Sequence, residues 1–311
     1  MSTSDVALGA DIKVGCLSWC FHTFAPGADP SEAIDIIGEL GFDGLELILL
    51  AREDVNGYWT DARVDTLRGQ LGRHGLEVSQ FVLFQPVVAG LASADRDERA
   101  ESLRHFEEGC RIGRMFDAPI INIVAPWPVA LSGPVDYLPR HYDLPDAGPD
   151  EKFHIDIAEG FDWDEVWAAY IEATSACLAC AKSYDMRFTI EHHTHTMIPD
   201  ATSFLRLWDA VGDPDLGYNM DVGWTLSQRE YPPLAIHKTK SQLMNVHMRD
   251  IDGLVRSFVH VGEGVMDFAA IVDTLRDVGY RGYVSLEQDK QEGDMRATCA
   301  RYLALMRECL T

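Results

Sequence analysis

Along the chain, apolar runs too short for a helix alternate with longer stretches in which apolar residues recur every three to four positions. A short run bounded by turn residues reads as a buried strand, and the three-to-four spacing as a helix with one apolar face. Strands are therefore predicted near 13–19, 43–48, 77–84, 120–124, 187–191, 216–221, 243–248 and 283–287. Helices fit between them at Pro30 to Leu40, Asp61 to Arg73, Asp95 to Phe116, Trp163 to Tyr184, Thr202 to Val211, Pro232 to Lys240 and Asp267 to Val278, and Glu292 to Leu310 forms a closing helix. Strict alternation predicts a parallel sheet, and eight units predict one (β/α)8 barrel of the α/β class, a single domain over residues 1–311. Gly41-Phe42-Asp43-Gly44 and Gly279-Tyr280-Arg281-Gly282 share a helix-to-strand pattern whose glycines suit a left-handed cap and a tight turn.

Four metal-liking residues close four consecutive runs: Glu191, Asp221, His247 and Glu287. One acid at a strand end is as readily a helix cap or a surface charge. Four in succession, at the end where such barrels build their active sites, outline a divalent-metal centre. Hard carboxylates dominate and no thiolate joins them, which favours Mn²⁺, with Mg²⁺, Co²⁺ or Zn²⁺ as alternatives. If the strand stays extended past Glu191, His193 and His195 project to the ligand's side and His192 faces away. His193 and His195 are then candidates for proton transfer or substrate contact, against a supporting or surface role. His22 and Glu46, ending the first two strands, are expected at the same mouth, as substrate contacts or as structural residues.

The connection after strand 4 is disproportionately long. Residues 125–162 hold Pro126, Pro128, Pro134, Pro139, Pro145 and Pro149 with Trp127, Tyr137, Tyr142, His141 and His154. Leaving the active-site face, it is expected to act as a lid, a specificity wall or a docking surface rather than a passive excursion.

A formal charge of −24, from 26 basic and 50 acidic residues, argues against nucleic acid or an anionic membrane as a general partner. With no basic start leading into an apolar core and no run of membrane-spanning length, the expected location is cytoplasmic. Seven cysteines do not make a secreted disulfide framework, and Cys177 and Cys180, though at redox-motif spacing, fall within a strongly periodic helix where packing is the simpler role. No Ser or Cys sits in an elbow-like glycine turn beside the histidines, and Gly262-Glu263-Gly264 lacks the Lys-Ser/Thr ending of a phosphate loop.

Gly41-Phe42-Asp43-Gly44-Leu45-Glu46, Ile190-Glu191, Asp221-Val222-Gly223, Val246-His247-Met248-Arg249-Asp250, Val261-Gly262-Glu263-Gly264 and Glu287 together resemble the xylose-isomerase-like superfamily of sugar isomerases and epimerases. The resemblance implies a barrel whose strands five to eight supply the metal ligands, with Glu191 and Glu287 also exchanging a proton as base and acid, and a structural turn at Gly262-Glu263-Gly264. It does not specify the reaction, because one fold hosts many chemistries. Ketose epimerases of this group carry a histidine three residues after the aspartate and an arginine six after the histidine. Here Trp224 and Gly253 stand there, and Trp224, Arg249 and Trp127 become the candidate substrate contacts.

A histidine-rich segment after the first Glu, an aromatic fourth loop and the missing epimerase grip resemble a subset that cleaves 3-keto C-glycosides, a lyase-type elimination. There the catalytic subunit works with a small β-rich partner, so an oligomer or a second subunit is expected. The alternatives are a ketose 3-epimerase, a sugar isomerase or an inosose dehydratase. An abasic-site endonuclease would need a trinuclear zinc cluster and a basic face, against the acidic charge. A catalytically dead binding barrel would not need the intact ligand set.

Overall fold

The computed structural model describes residues 11–128, 157, 159–253, 258–288 and 293–311. Seven strands come first: β1 (Lys13–Leu17), β2 (Gly44–Leu49), β3 (Glu77–Leu83), β4 (Ile120–Val124), β5 (Arg187–Glu191), β6 (Leu216–Asp221) and β7 (Leu243–Met248). A small antiparallel pair, β8 (Asp250–Ile251) and β9 (Phe258–Val259), precedes β10 (Tyr283–Leu286). β1 to β7 and β10 pair in parallel and close on themselves through β10 and β1, giving the expected eight-stranded (β/α)8 barrel.

The helices are α1 (Ser31–Leu40), α2 (Asp54–Gly57), α3 (Asp61–His74), α4 (Gln85–Val88), α5 (Arg96–Met115), α6 (Trp163–Ser183), α7 (Ala201–Val211), α8 (Val222–Ser227), α9 (Pro232–Thr239), α10 (Phe268–Asp277) and α11 (Met295–Cys309). Those predicted from periodicity are all present. The short α2, α4 and α8, of one to two turns, are too brief to show a period. The side chains of Asp95, Asp162, Asp200, Asp267 and Asp294 accept first-turn N–H groups at the starts of α5, α6, α7, α10 and α11. Part of the acidic excess is thus helix caps, each contributing about 1 kcal/mol. Gly41 (φ 89°) and Gly279 (φ 72°) take the left-handed conformation expected of them.

Strand alternation divides the side chains. Phe188, Ile190, Tyr218, Met220, Val246 and Val284 join the apolar core. The alternate residues face inward and are polar: Glu46, Gln80, Asn122, Thr189, Asn219, Asn245 and Ser285 are all buried. Bonds between strands that are not neighbours establish that direction. Thr189 Oγ1 donates to Gln80 Oε1 at 3.1 Å, from β5 to β3, and Asn245 Nδ2 donates to Glu46 Oε1 at 2.9 Å, from β7 to β2.

The seven cysteines are free thiols, and Cys177 packs in the core from α6. Among the described residues no helix is long and apolar enough to cross a membrane. Of the expected lid, residues 129–156 and 158 lie outside the described residues, including Tyr137, His141, Tyr142 and His154.

Candidate metal centre

Four strand ends meet at the mouth of the barrel. Glu191 ends β5, Asp221 ends β6, His247 is the penultimate residue of β7, and Glu287 follows β10. One ligand atom from each lies within 4.8 Å of the others, and all four side chains are buried. Asp221 and His247 are register partners, while Glu191 pairs with Asn219, two residues lower on β6.

Each ligand is oriented by a neighbour. Asn122 and Asn219 donate to Glu191 Oε2 at 3.3 and 3.1 Å. Asp221 caps α8, its Oδ1 accepting from the Trp224 backbone N–H at 2.9 Å, which leaves Oδ2 directed elsewhere. His247 Nε2 lies 2.9 Å from Glu46 Oε2, and its Nδ1 lies 3.3 Å from Glu191 Oε1 and 2.9 Å from Glu287 Oε2. A carboxylate only accepts, so Nε2 donates to Glu46 and Nδ1 donates to the other acids; with Nε2 held by Glu46, Nδ1 is the nitrogen that would turn to an ion after losing its proton.

Clustered buried acids perturb one another. Burial raises the Asp221 carboxyl to about 8 although Arg249 opposes it. Burial likewise lifts Glu191 from its ordinary value against the pull of His247. For Glu287, burial is outweighed by Arg249 and His247, which hold it well below that range. Burial would depress His247, but Glu46, Glu191 and Glu287 overcome it and raise its pKa. Arg249 supplies fixed positive charge: its Nε lies 2.8 Å from Asp221 Oδ2, and its Nη2 pairs with Glu287 Oε1.

The donor set fits a divalent ion. Asp221 Oδ2 and Glu287 Oε2 are buried oxygens that lie close to Arg249 Nε and His247 Nδ1 without hydrogen-bond geometry, and three carboxylates with one imidazole are the ligands a hard or borderline ion takes.

The remaining sequence candidates distribute unevenly. His193 is buried, its ring centroid 3.9 Å from that of Trp224 and 6.5 Å from that of Trp127. Trp224 is itself enclosed, edge-on to Phe258 at 4.7 Å, so it backs the wall behind His193 instead of offering an open face. His192 faces away as expected, between the hydroxyls of Tyr218 (2.8 Å) and Thr225 (3.2 Å).

Two expectations of geometry are corrected. The chain does not stay extended past Glu191: a turn follows, and His195 sits at φ 63° with its side chain exposed, not in line with the ligand. Glu46 does not end its strand. It is the third residue of β2, fully buried, and is held by Gln80, Asn245 and His247, so it positions a ligand. His22 lies beyond the end of β1, half-buried, with Nε2 3.2 Å from Ser18 Oγ.

Sequence reasoning missed the polar barrel interior and a second aromatic row. Trp19 meets His247 edge-on at 6.4 Å, Phe24 lies 6.5 Å from Trp19, and Phe84 5.4 Å from Phe24. The predicted strand 13–19 stops at Leu17, and a 3-10 turn, Ser18–Cys20, carries Trp19 to this place. Asp250 was also missed: its carboxylate accepts the N–H groups of Ile251, Gly262, Gly264 and Met266, which makes Gly262-Glu263-Gly264 a turn wrapped around a buried acid.

Comparison with known proteins agrees with this geometry. The chain is 21% identical over 286 residues to inosose dehydratase of Geobacillus kaustophilus, covering 83% of this chain and 80% of that one. Its fold is similar to the crystal structure of D-psicose 3-epimerase with D-fructose (TM-score 0.73, 19% identity, 96% and 99% of the two chains). It is also similar to 3-keto-D-glucoside 4-epimerase of E. coli (TM-score 0.72, 17% identity, 96% and 100%). A family model described as xylose isomerase-like TIM barrel matches residues 34–308, and the chain belongs to that family.

Proposed function

We propose that this sugar-modifying enzyme removes a proton beside the carbonyl of a keto-sugar and eliminates an aromatic group, cleaving the C–C glycosidic bond of a 3-keto C-glycoside. The observation that carries the reading is the pair of aromatic walls beside a buried acid cluster. Trp127 and His193 stand on one flank, backed by the enclosed Trp224 and Phe258, and Phe24 and Phe84 extend from the buried Trp19 beside His247 on the other. Such walls suit a flat leaving group better than a small free ketose. The named relatives support the chemistry: a dehydratase eliminates beside a carbonyl, and one epimerase acts on a 3-keto-glucoside.

Glu191, Asp221, His247 and Glu287 would hold the ion, with Mn²⁺ favoured over Mg²⁺, Co²⁺ or Zn²⁺, and when bound it supplies Lewis-acid stabilisation of charge developing on the carbonyl oxygen. Glu191 takes the proton from the carbon between carbonyl and anomeric carbon. The released electron pair forms a carbon-carbon double bond to the anomeric carbon as the bond to the aryl carbon breaks. His193 takes the phenol proton and delivers it to that aryl carbon, the aglycone leaves as its phenolate, and the phenolate oxygen regains a proton as Glu191 gives up the one it took, so the products are an unsaturated keto-sugar and the free aglycone. Glu287 is the proton donor if the same site epimerises instead. A small β-rich second subunit and a cytoplasmic location belong to this reading.

Mass spectrometry of Mn²⁺-supplied protein with 3-keto C-glycosides and with free ketoses tests it. Release of the aglycone is expected. Isomerisation of ketoses alone would replace this reading with the epimerase one.

A further inference from the structure

We infer that Arg249 is a built-in counter-cation that competes with a divalent ion for Asp221 and Glu287 and so sets how readily the centre loads. The inference rests on the metal reading and deepens it. Asp221 Oδ1 is committed to the first turn of α8, which leaves Oδ2 as its metal donor, and Arg249 Nε already stands 2.8 Å from that oxygen. Glu287 Oε1 is paired with the same guanidinium. Two of the four ligands are therefore neutralised by a group that does not lose its proton.

The fold reserves space for this cation. A Cβ on Gly223 would lie 2.4 Å from Arg249 Cγ and 2.7 Å from Cδ, so only glycine there lets the stem pass. The guanidinium carbon sits 4.2 Å from the Phe258 ring centroid and 5.7 Å from that of Trp224, a shelf on which it can stay when the carboxylates are taken by an ion. The next residue, Asp250, anchors the backbone through four N–H groups, which confines any movement to the side chain. A divalent ion on the same carboxylates would face this fixed charge across a buried space, where repulsion is poorly screened.

The test is calorimetric titration of Mn²⁺ into full-length, chelator-stripped wild type, Arg249→Met and Gly223→Ala. Arg249→Met is expected to bind Mn²⁺ about 10-fold or more tightly, with a lower Tm when metal-free and a larger Tm rise on adding Mn²⁺. Gly223→Ala, whose Cβ would crowd both the stem and Phe258 Cε1 (2.9 Å) without altering charge, should shift affinity the same way and decides the matter if Arg249→Met does not fold. Equal or weaker Mn²⁺ binding by the variants than by wild type would overturn the inference while leaving the metal reading intact. No Mn²⁺ binding by any of the three would overturn both.

Discussion

Glu46 Oε2 lies 2.9 Å from His247 Nε2 inside the barrel, linking β2 to β7 across strands that are not neighbours. The contact fixes the imidazole so that Nδ1 is offered to the ligand cluster, and Gln80 and Asn245 hold Glu46 in turn at 2.9 Å each. Partners of this kind orient a ligand and raise its basicity. Glu46→Gln should therefore weaken Mn²⁺ affinity by about 10–100-fold while the fold persists. Titration calorimetry with circular dichroism checks it, and wild-type affinity in a folded variant would remove Glu46 from the centre.

Asp221 joins β6, α8 and the ligand set through one carboxylate. Asp221→Asn keeps an oxygen for the Trp224 cap but removes the negative charge, so the helix should survive and metal retention should fall. Elemental analysis after dialysis reads the result: about one ion per chain for wild type and little for the variant is expected, and equal retention would refute the assignment.

His193 stands two residues past Glu191 with its ring against Trp224. Near neutrality an imidazole can take and return a proton at a phenol. His193→Ala is expected to retain metal and lose about 10²-fold in turnover, the scale of a missing general acid or base. Wild-type turnover, or a defect that parallels metal loss, would assign it elsewhere.

His192 is neutral and buried. Burial depresses its pKa from 6.5 to about 3, and the hydroxyls of Tyr218 and Thr225 occupy both nitrogens. Because the folded pKa is below the unfolded one, this group's stabilisation is fully present above pH 6.5 and is lost as pH falls toward 3. Between neutrality and two pH units below the unfolded value the loss is about 2–3 kcal/mol. Urea unfolding in chelator should show a smaller acid-side loss for His192→Gln than for wild type. Equal losses would contradict it.

The barrel and the meeting of Glu191, Asp221, His247 and Glu287 were legible because each rests on a local pattern: apolar runs at regular spacing, and one metal-liking residue closing each of four. The polar interior had a signal too. Thr189, Asn219, Asn245 and Ser285 each stand two residues before a ligand, on the inward side of an alternating strand. Reading the runs as apolar hid it. Glu46 and His195 were misplaced because both positions depend on where a strand stops, and local propensity does not set strand ends to a single residue. Arg249 was read as a substrate contact, and its pairing with Asp221 and Glu287 follows from tertiary geometry that no spacing displays.

The central claim is proton removal beside a carbonyl at the Glu191, Asp221, His247 and Glu287 cluster, followed by loss of an aromatic group. Its most direct measurement is mass spectrometry of a 3-keto C-glycoside incubated with the protein in D₂O, with Mn²⁺ and with chelator. With Mn²⁺, free aglycone bearing one deuterium at the former glycosidic carbon is expected, together with an unsaturated keto-sugar. With chelator neither is expected. Equal aglycone release in chelator, or an intact glycoside with Mn²⁺ bound, would contradict it.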